Sequence, residues 1–339
     1  MRRCLYCYAK ITKSDPGESG FHYGCSSQFF YELVAPDFPY TQNDIAKLAT
    51  KVVRSGFTVT GVQPKLSLEI AKKSLKKSGS KGKLPARLTI VGVPGNYILK
   101  PPSQEYPHLP EIEHLSMKLA ELAKIRTVPH TLIQMKDGAL AYLTRRIDRI
   151  DLYNRQNERS DRQKIHMEDM CQLTNRLTEH KYRGSYEKIA RIIKEFSVNP
   201  LLDVINFYEQ VIFSFLIGNA DMHLKNFSLI KDPRYRLQGS GYVLSPAYDM
   251  VATALVLDDP EELALTINAK KRKITRSDFE KAMSEAGVYP KSIENIFTKF
   301  ALAYLAWQGV IEKSFLSKKQ QRHLVSIIHE RMDRLDIKI

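Results

Sequence analysis

The apolar pattern changes character near Arg149, and that break constrains the fold of this 339-residue chain more than any other feature. Ahead of it lie short strand-like runs. Leu66–Ile70 alternates, Leu88–Gly92 and Tyr97–Lys100 flank Pro94-Gly95-Asn96 as a hairpin, and Thr131–Met135 and Ala139–Thr144 are joined by Lys136-Asp137-Gly138. Two helices interrupt them, over 41–56 with Thr41 as N-cap and over 111–124. Beyond the break the spacing predicts helices over 168–177, 185–196, 201–217, 275–286, 290–305 and 317–333. The polar stretch 150–165 reads as a mobile connector. The pattern therefore predicts an α+β chain with a mixed β-sheet lobe over 31–148 and an all-helical lobe over 149–339.

A hydrophobic content of 43% supports a sizeable core and excludes a disordered or fibrous chain. Lys+Arg 52 against Asp+Glu 37 gives a net charge of +15, which favours anionic partners without choosing among nucleotide, nucleic acid and acidic protein. Part of the excess is local: Lys72, Lys73, Lys76, Lys77, Lys81 and Lys83 crowd a Ser/Gly-rich stretch with the composition of a solvated loop. No run approaches the roughly 18–20 apolar residues of a membrane span, and no signal-peptide pattern follows Met1. The expectation is a cytoplasmic protein with no membrane partner.

Three of the four cysteines fall within the first 25 residues, as Cys4-x-x-Cys7 and, fourteen residues on, His22-x-x-Cys25. Two chelating turns with four soft ligands suit a closed structural Zn²⁺ site. A reduced cap without metal is the alternative. Four protein ligands would leave no open position for catalysis. Residues 1–30 thus read as a small zinc-knuckle-like cap, docked by Phe29 and Phe30.

The chemistry concentrates in Phe215–Leu229. An apolar helix stops at Gly218, and Asp221 and Asn226 then stand five apart, the D-x-x-x-x-N spacing of a kinase catalytic loop. In that role Asp221 accepts a hydroxyl proton, the Asn226 amide oxygen holds a magnesium ion, and Lys225 neutralises charge on the transferring phosphoryl group. For His223 the readings are metal binding, base catalysis or ordering of the loop, and the last fits its context best. Asp249, after the strand candidate at Tyr242, is placed to be a second Mg²⁺ ligand. Upstream, Lys100 ends a strand and Glu113 lies in the next helix, the order in which kinases build a lysine–glutamate pair. Each residue alone could be an ordinary surface group; the order of the four carries the argument.

Thr60-Gly-Val-Gln-Pro-Lys65, Tyr97-Ile-Leu-Lys100-Pro, Glu168-Asp-Met-Cys-Gln172, Gly218-Asn-Ala-Asp-Met-His-Leu-Lys-Asn226 and Tyr248-Asp249 resemble successive motifs of HipA-family serine/threonine kinase toxins. The resemblance spans 58–249 and implies a bilobal protein-kinase-like fold using ATP and Mg²⁺. By it, Asp221 and Lys225 are catalytic, Asn226 and Asp249 hold metal, and Lys100 and Glu113 serve the phosphates. Thr60, Gly61, Val62, Gln63 and Lys65 cover the phosphates, Leu143, Thr144 and Arg145 border the adenine, and His223 orders the ATP site. Glu168–Gln172 becomes a helix after the hinge, with Cys171 a packing residue. The resemblance further implies a toxin that blocks translation by phosphorylating an aminoacyl-tRNA synthetase, silenced by autophosphorylation at Thr58 or Thr60.

Two departures from the family pattern stand out. The 60–65 loop has one glycine where the usual kinase loop has three. Only 57 residues precede Thr58, fewer than the family's N-terminal subdomain. That resembles the compact HipT-like members, and implies a separate HipS-like small protein and a HipB-like helix-turn-helix antitoxin as partners, with DNA reached only through the antitoxin. A DNA-associated corepressor with a scaffold-only kinase core is the competing reading.

Overall fold

The computed structural model describes the chain except residues 1, 13–14, 16–18, 55–64, 72–85, 92–94, 152–161, 236–240, 259–260 and 339. Thr60, Gly61, Val62 and Gln63 of the expected phosphate-covering loop, and Thr58, the other expected autophosphorylation site, therefore lie outside the described residues. The chain divides into two compact units. Unit 1 comprises Met1–His114, Pro129–Arg146 and Lys313–Phe315; unit 2 comprises Leu115–Val128, Ile147–Glu312 and Leu316–Ile339.

Unit 1 opens with α1 (Tyr23–Phe30) and α2 (Gln42–Arg54), then β1 (Leu66–Ala71), β2 (Arg87–Ile90), β3 (Tyr97–Lys100), the start of α3 (Leu109–Leu122), β4 (His130–Gln134) and β5 (Leu140–Arg145). Thr41 caps α2 as expected: its backbone N–H and hydroxyl donate to Asp44 Oδ2 at 2.9 and 2.7 Å, and the Asp44 N–H donates back to Thr41 Oγ1 at 3.1 Å. The five strands form an antiparallel sheet in the order β2-β1-β3-β5-β4.

This order corrects the expected hairpin around Pro94-Gly95-Asn96, because β1 lies between β2 and β3 and the two never pair. Gly95 shows the physical reason. A Cβ there would stand 2.5 Å from the Leu68 carbonyl oxygen, so the chain passes against β1 where only glycine fits. Leu66, Leu68, Leu88, Leu99, Leu132, Ile133 and Leu143 form the core of the unit, into which Cys4, Leu5, Phe21, Phe29 and Phe30 of the N-terminal cap also pack. Each such leucine, isoleucine or phenylalanine contributes about 1.5–3 kcal/mol through burial.

Unit 2 contains the rest of α3, a short ladder of β6 (Arg149–Asp151) with β7 (Arg162–Lys164), β8 (Met167–Asp169), α4 (Met170–Leu173), α5 (Tyr186–Phe196) and α6 (Pro200–Ile217). It continues through β9 (Ser228–Lys231), β10 (Tyr242–Leu244), α7 (Arg276–Glu285), α8 (Pro290–Lys313) and α9 (Lys318–Arg334). It is dominated by helices but, against the expected all-helical lobe, carries a second antiparallel sheet, β10-β9-β8, of which the sequence marked only the strand at Tyr242, because strands of three or four residues show little periodicity. The expected helix over 168–177 is one turn. Glu168 and Asp169 are strand, and the Asp169 side chain caps α4 in a reciprocal box with Gln172. The ends of the polar 150–165 stretch pair in the β6–β7 ladder, and its middle lies outside the described residues.

At the centre of unit 2 lies α6, long and apolar enough by length and composition to cross a membrane, yet 72% buried in the unit. It is a core helix, and Asp203, Asn206, Glu209 and Gln210 break its apolar sequence. Its buried Asp203 is satisfied by Ser197 Oγ at 2.6 Å and the Leu244 N–H at 2.8 Å. Phe207 packs edge-on against Tyr208 and Phe227, and Phe213 against Trp307, whose indole N–H donates to the Leu119 carbonyl at 2.9 Å.

Candidate active site

In unit 2 the candidate site starts where α6 stops. Gly218 has φ +77°, its N–H donates to the Phe215 carbonyl at 3.1 Å, and the Asn219 N–H reaches Ser214 O at 2.8 Å. A Cβ on Gly218 would meet the Ala254 Cβ at 2.8 Å, so position and handedness both demand glycine. The reversal is held by Thr253, whose hydroxyl donates to Gly218 O at 3.1 Å and accepts from the Ala220 N–H at 2.9 Å.

From this clamp the loop folds on itself. The Asp221 N–H donates to Asn219 Oδ1 at 3.0 Å, and the Asp221 carbonyl accepts from the His223 N–H and from Asn226 Nδ2, both at 2.8 Å. With its nitrogen spent on that carbonyl, Asn226 has its amide oxygen left for a cation. The five-residue spacing thus has a structural cause: Asn226 closes the loop that begins at Asp221. The Asp221 carboxylate is half exposed and accepts from the Tyr182 hydroxyl at 2.5 Å. His223 is buried beneath, its Nε2 4.0 Å from Asp221 Oδ1 and its ring edge-on to Tyr182. Burial lowers its pKa to about 4 against the opposing pull of Asp221 and Asp249, so at neutral pH the imidazole is uncharged. That environment suits a loop-ordering residue and not a proton carrier.

Asp249 joins the same place through its neighbour. The Tyr248 hydroxyl donates to the Lys225 carbonyl at 3.0 Å and lies 2.5 Å from Ser228 Oγ, which ties the Asp249 segment to the Asp221–Asn226 loop. Upstream, Val128 N–H donates to Ala247 O and Ala247 N–H to Arg126 O, at 2.9 and 2.8 Å. Asp249 itself has φ +56°, a backbone conformation rare outside glycine and met at functional positions. Its carboxylate and the Asn226 amide oxygen are the hard oxygen donors that a Mg²⁺ ion takes. Lys225 donates to Asp169 Oδ2 at 2.6 Å, with 26% of its side chain exposed.

In unit 1, Lys100 at the end of β3 donates to Glu113 Oε1 on α3 at 2.6 Å, and the two side chains are 5% and 1% exposed. The Lys100 ammonium also lies 5.4 Å from the centre of the Tyr142 ring. Lys65 precedes β1 and is half-buried. Of the residues expected to border an adenine, Leu143 is enclosed in the core, the Thr144 hydroxyl donates to Pro129 O at 3.0 Å, and the Arg145 guanidinium sits 4.6 Å over the Tyr31 ring. Cys171 is buried. Cys4, Cys7, His22 and Cys25 come together with all ligand atoms within 4.8 Å. Sequence reasoning missed Tyr182 and the ion-pairing role of Asp169; for Asp169 the Asp-x-x-Gln capping pattern was the available signal.

A family model of the HipA-like C-terminal domain matches residues 57–307. The chain belongs to that family. This HipA-like chain is 33% identical over 230 residues to "Putative kinase Y4dM" of Sinorhizobium fredii, covering 67% of the chain and 52% of the relative. It is 26% identical over 225 residues to the serine/threonine-protein kinase toxin HipA of Shewanella oneidensis, covering 62% and 46%. It spans about half the length of these two relatives. Among solved structures, the S. oneidensis HipA, HipB and operator DNA complex matches with TM-score 0.62 at 19% identity, over 96% of this chain and 79% of the other. The Helicobacter pylori proinflammatory kinase CtkA matches with TM-score 0.51 at 16% identity, over 83% and 95%. At such identities the structural matches speak to fold, and the fold is kinase-like α+β.

Proposed function

We propose that the chain is an ATP-dependent serine/threonine protein kinase acting as the toxin of a toxin–antitoxin pair. The observation that carries the reading is the loop closed by Asn226 on the Asp221 carbonyl, with the Asp221 carboxylate open to solvent and Asp249 tied beside it through Tyr248. In this reading Asp221 accepts the proton of an acceptor hydroxyl as its oxygen bonds to the γ-phosphorus and the bond to ADP breaks. Tyr182 holds the carboxylate, and Lys225 leaves Asp169 to meet the phosphoryl oxygens. Asn226 and Asp249 would hold Mg²⁺, which when bound neutralises phosphate charge. Lys100, fixed by Glu113, serves the α- and β-phosphates, and His223 stays neutral and orders the loop.

The named activity of the S. oneidensis HipA relative supports the kinase and toxin parts. The HipA, HipB and operator DNA complex, together with the +15 charge, supports a helix-turn-helix antitoxin through which the chain reaches DNA. An aminoacyl-tRNA synthetase as target, regulatory phosphorylation at Thr58 or Thr60, and a HipS-like companion follow from the motif resemblance. The test is incubation of the purified chain with γ-labelled ATP and a cell lysate, with phosphosites mapped on the chain and on any synthetase. Wild type should label protein and arrest growth on expression. Asp221→Asn should lose about 10²-fold or more of the transfer rate and the arrest with it. Arrest that persists in Asp221→Asn would instead support the scaffold-only corepressor.

A further inference from the structure

Four potential ligands meet near the N-terminus with the separations of an ion's coordination shell. A tetrahedral zinc with Zn–S of ~2.3 Å and Zn–N of ~2.0–2.1 Å sets its S···N edges at about 3.5 Å. Here Cys7 Sγ and Cys25 Sγ lie 3.4 and 3.6 Å from His22 Nδ1. All four ligand atoms fall within 4.8 Å of one another, and the cysteines form no disulfide.

The outer contacts point the same way. With Nδ1 turned to the sulfurs, His22 Nε2 faces the Lys10 carbonyl at 3.2 Å, the backbone partner that fixes the ring of a metal-bound histidine. Asp15 Oδ2 stands 3.9 Å from the same nitrogen. The Cys-x-x-Cys turn is closed by Cys4 N–H to Ala9 O at 2.8 Å and Tyr8 N–H to Cys4 O at 2.9 Å. Cys4 is fully buried while the other three ligands are half-buried, so the cluster lies at the cap's edge where an ion can enter.

We propose that Cys4, Cys7, His22 and Cys25 hold one zinc ion, and that the loaded knuckle clamps the N-terminal cap onto the sheet of unit 1. Leu5, between the first two ligands, offers its carbonyl to the Leu132 N–H and to Thr131 Oγ1, both at 3.3 Å, on β4. Tyr8, directly after Cys7, takes φ +65°, a strained choice for an aromatic residue, and is buried. Its hydroxyl lies 2.7 Å from His114 Nδ1, and its ring packs edge-on against Phe315. His114 meets His130 edge-on, His130 stacks on Tyr142, and the Tyr142 ring lies under the Lys100 ammonium. The metal shell fixes the turn that sets both Leu5 and Tyr8.

The experiment needs no kinase activity, so its outcome is independent of the function proposed above. The full chain, purified under reducing conditions, should carry about one zinc by elemental analysis, and Cys7→Ser/Cys25→Ser less than about a tenth. His22→Cys should keep about one, because a fourth thiolate completes the same shell. Co²⁺ in place of zinc should give the d–d absorption of a tetrahedral thiolate site, altered in His22→Cys. A reduced wild-type chain that carries no zinc and takes up no Co²⁺, or that carries iron instead, overturns the site. For the clamp, stripping the wild-type chain with a chelator should speed hydrogen exchange at the Leu132 amide about tenfold or more while α6 amides hold. Unchanged protection at Leu132 after complete metal removal overturns the clamp.

Discussion

Two lysine–carboxylate pairs of the same 2.6 Å length, one in each unit, differ in their access to water. Lys100–Glu113 is 5% and 1% exposed, whereas Lys225–Asp169 is 26% and 15% exposed. A buried pair has already given up hydration for both partners, so separating them leaves a bare charge in a low-dielectric interior. A partly hydrated pair can exchange its partner for water or phosphate at little cost. Geometry alone would make the two interchangeable; burial makes Lys100 a fixed cation and Lys225 a releasable one. An ammonium has three donors, so Lys100 can add a phosphate while keeping Glu113, while Lys225 can leave Asp169 for a group that comes and goes.

The sharpest way to break this contrast is Glu113→Ala. It removes the carboxylate paired with the Lys100 ammonium at 4% residue exposure, and should cost about 3–5 kcal/mol of stability, read as a lowered denaturation midpoint in urea. Replacing both partners, as in Lys100→Met/Glu113→Leu, should recover most of that loss, since apolar groups of similar volume tolerate the site. A single variant as stable as wild type would show that Lys100 escapes to water and that the pair is not fixed.

Asp169→Ala should be milder, about 1–2 kcal/mol, and most of that from another source. Asp169 also caps α4, accepting the Gln172 N–H at 3.0 Å, and loss of such a cap costs about 1 kcal/mol. Asp169→Asn keeps the cap and removes the charge, so it should fall within about 0.5 kcal/mol of wild type by the same measurement. If Asp169→Asn instead costs as much as Glu113→Ala, the partly hydrated pair is held as firmly as the buried one and Lys225 is not releasable.

The sequence made these two pairs unequally legible, for physical reasons. Lys100 and Glu113 could be matched because a strand end followed thirteen residues later by an early helix position brings side chains together over a short path. Asp221 and Asn226 were readable because one tight loop fixes both, and Gly218 marked its start. Asp169 meets Lys225 across 56 residues, and Tyr182 meets Asp221 across 39, contacts that no local period encodes. The sheet order failed on the same ground. Putting β1 between β2 and β3 is a long-range decision, and its one local trace, Gly95 pressed against Leu68, reads as an ordinary turn glycine. The Cys4–Cys25 cluster was legible because chelating turns carry their own spacing.

The smallest expected effect separates the pairs most cleanly, because salt acts on hydrated charges and spares buried ones. Double-mutant cycles of Lys225→Met with Asp169→Asn, and of Lys100→Met with Glu113→Leu, isolate each coupling from capping and packing losses common to the single variants. At low salt the Lys225–Asp169 coupling should be about 0.5–1 kcal/mol, and at 1 M NaCl, where the screening length is near 3 Å, it should fall to about half or less. The Lys100–Glu113 coupling should change by less than about 0.3 kcal/mol over the same range, since a pair 5% and 1% exposed is largely shielded from the bulk salt that screens hydrated charges. Equal salt sensitivity would mean that water reaches both pairs alike, and that burial does not distinguish the lysine that holds from the lysine that lets go.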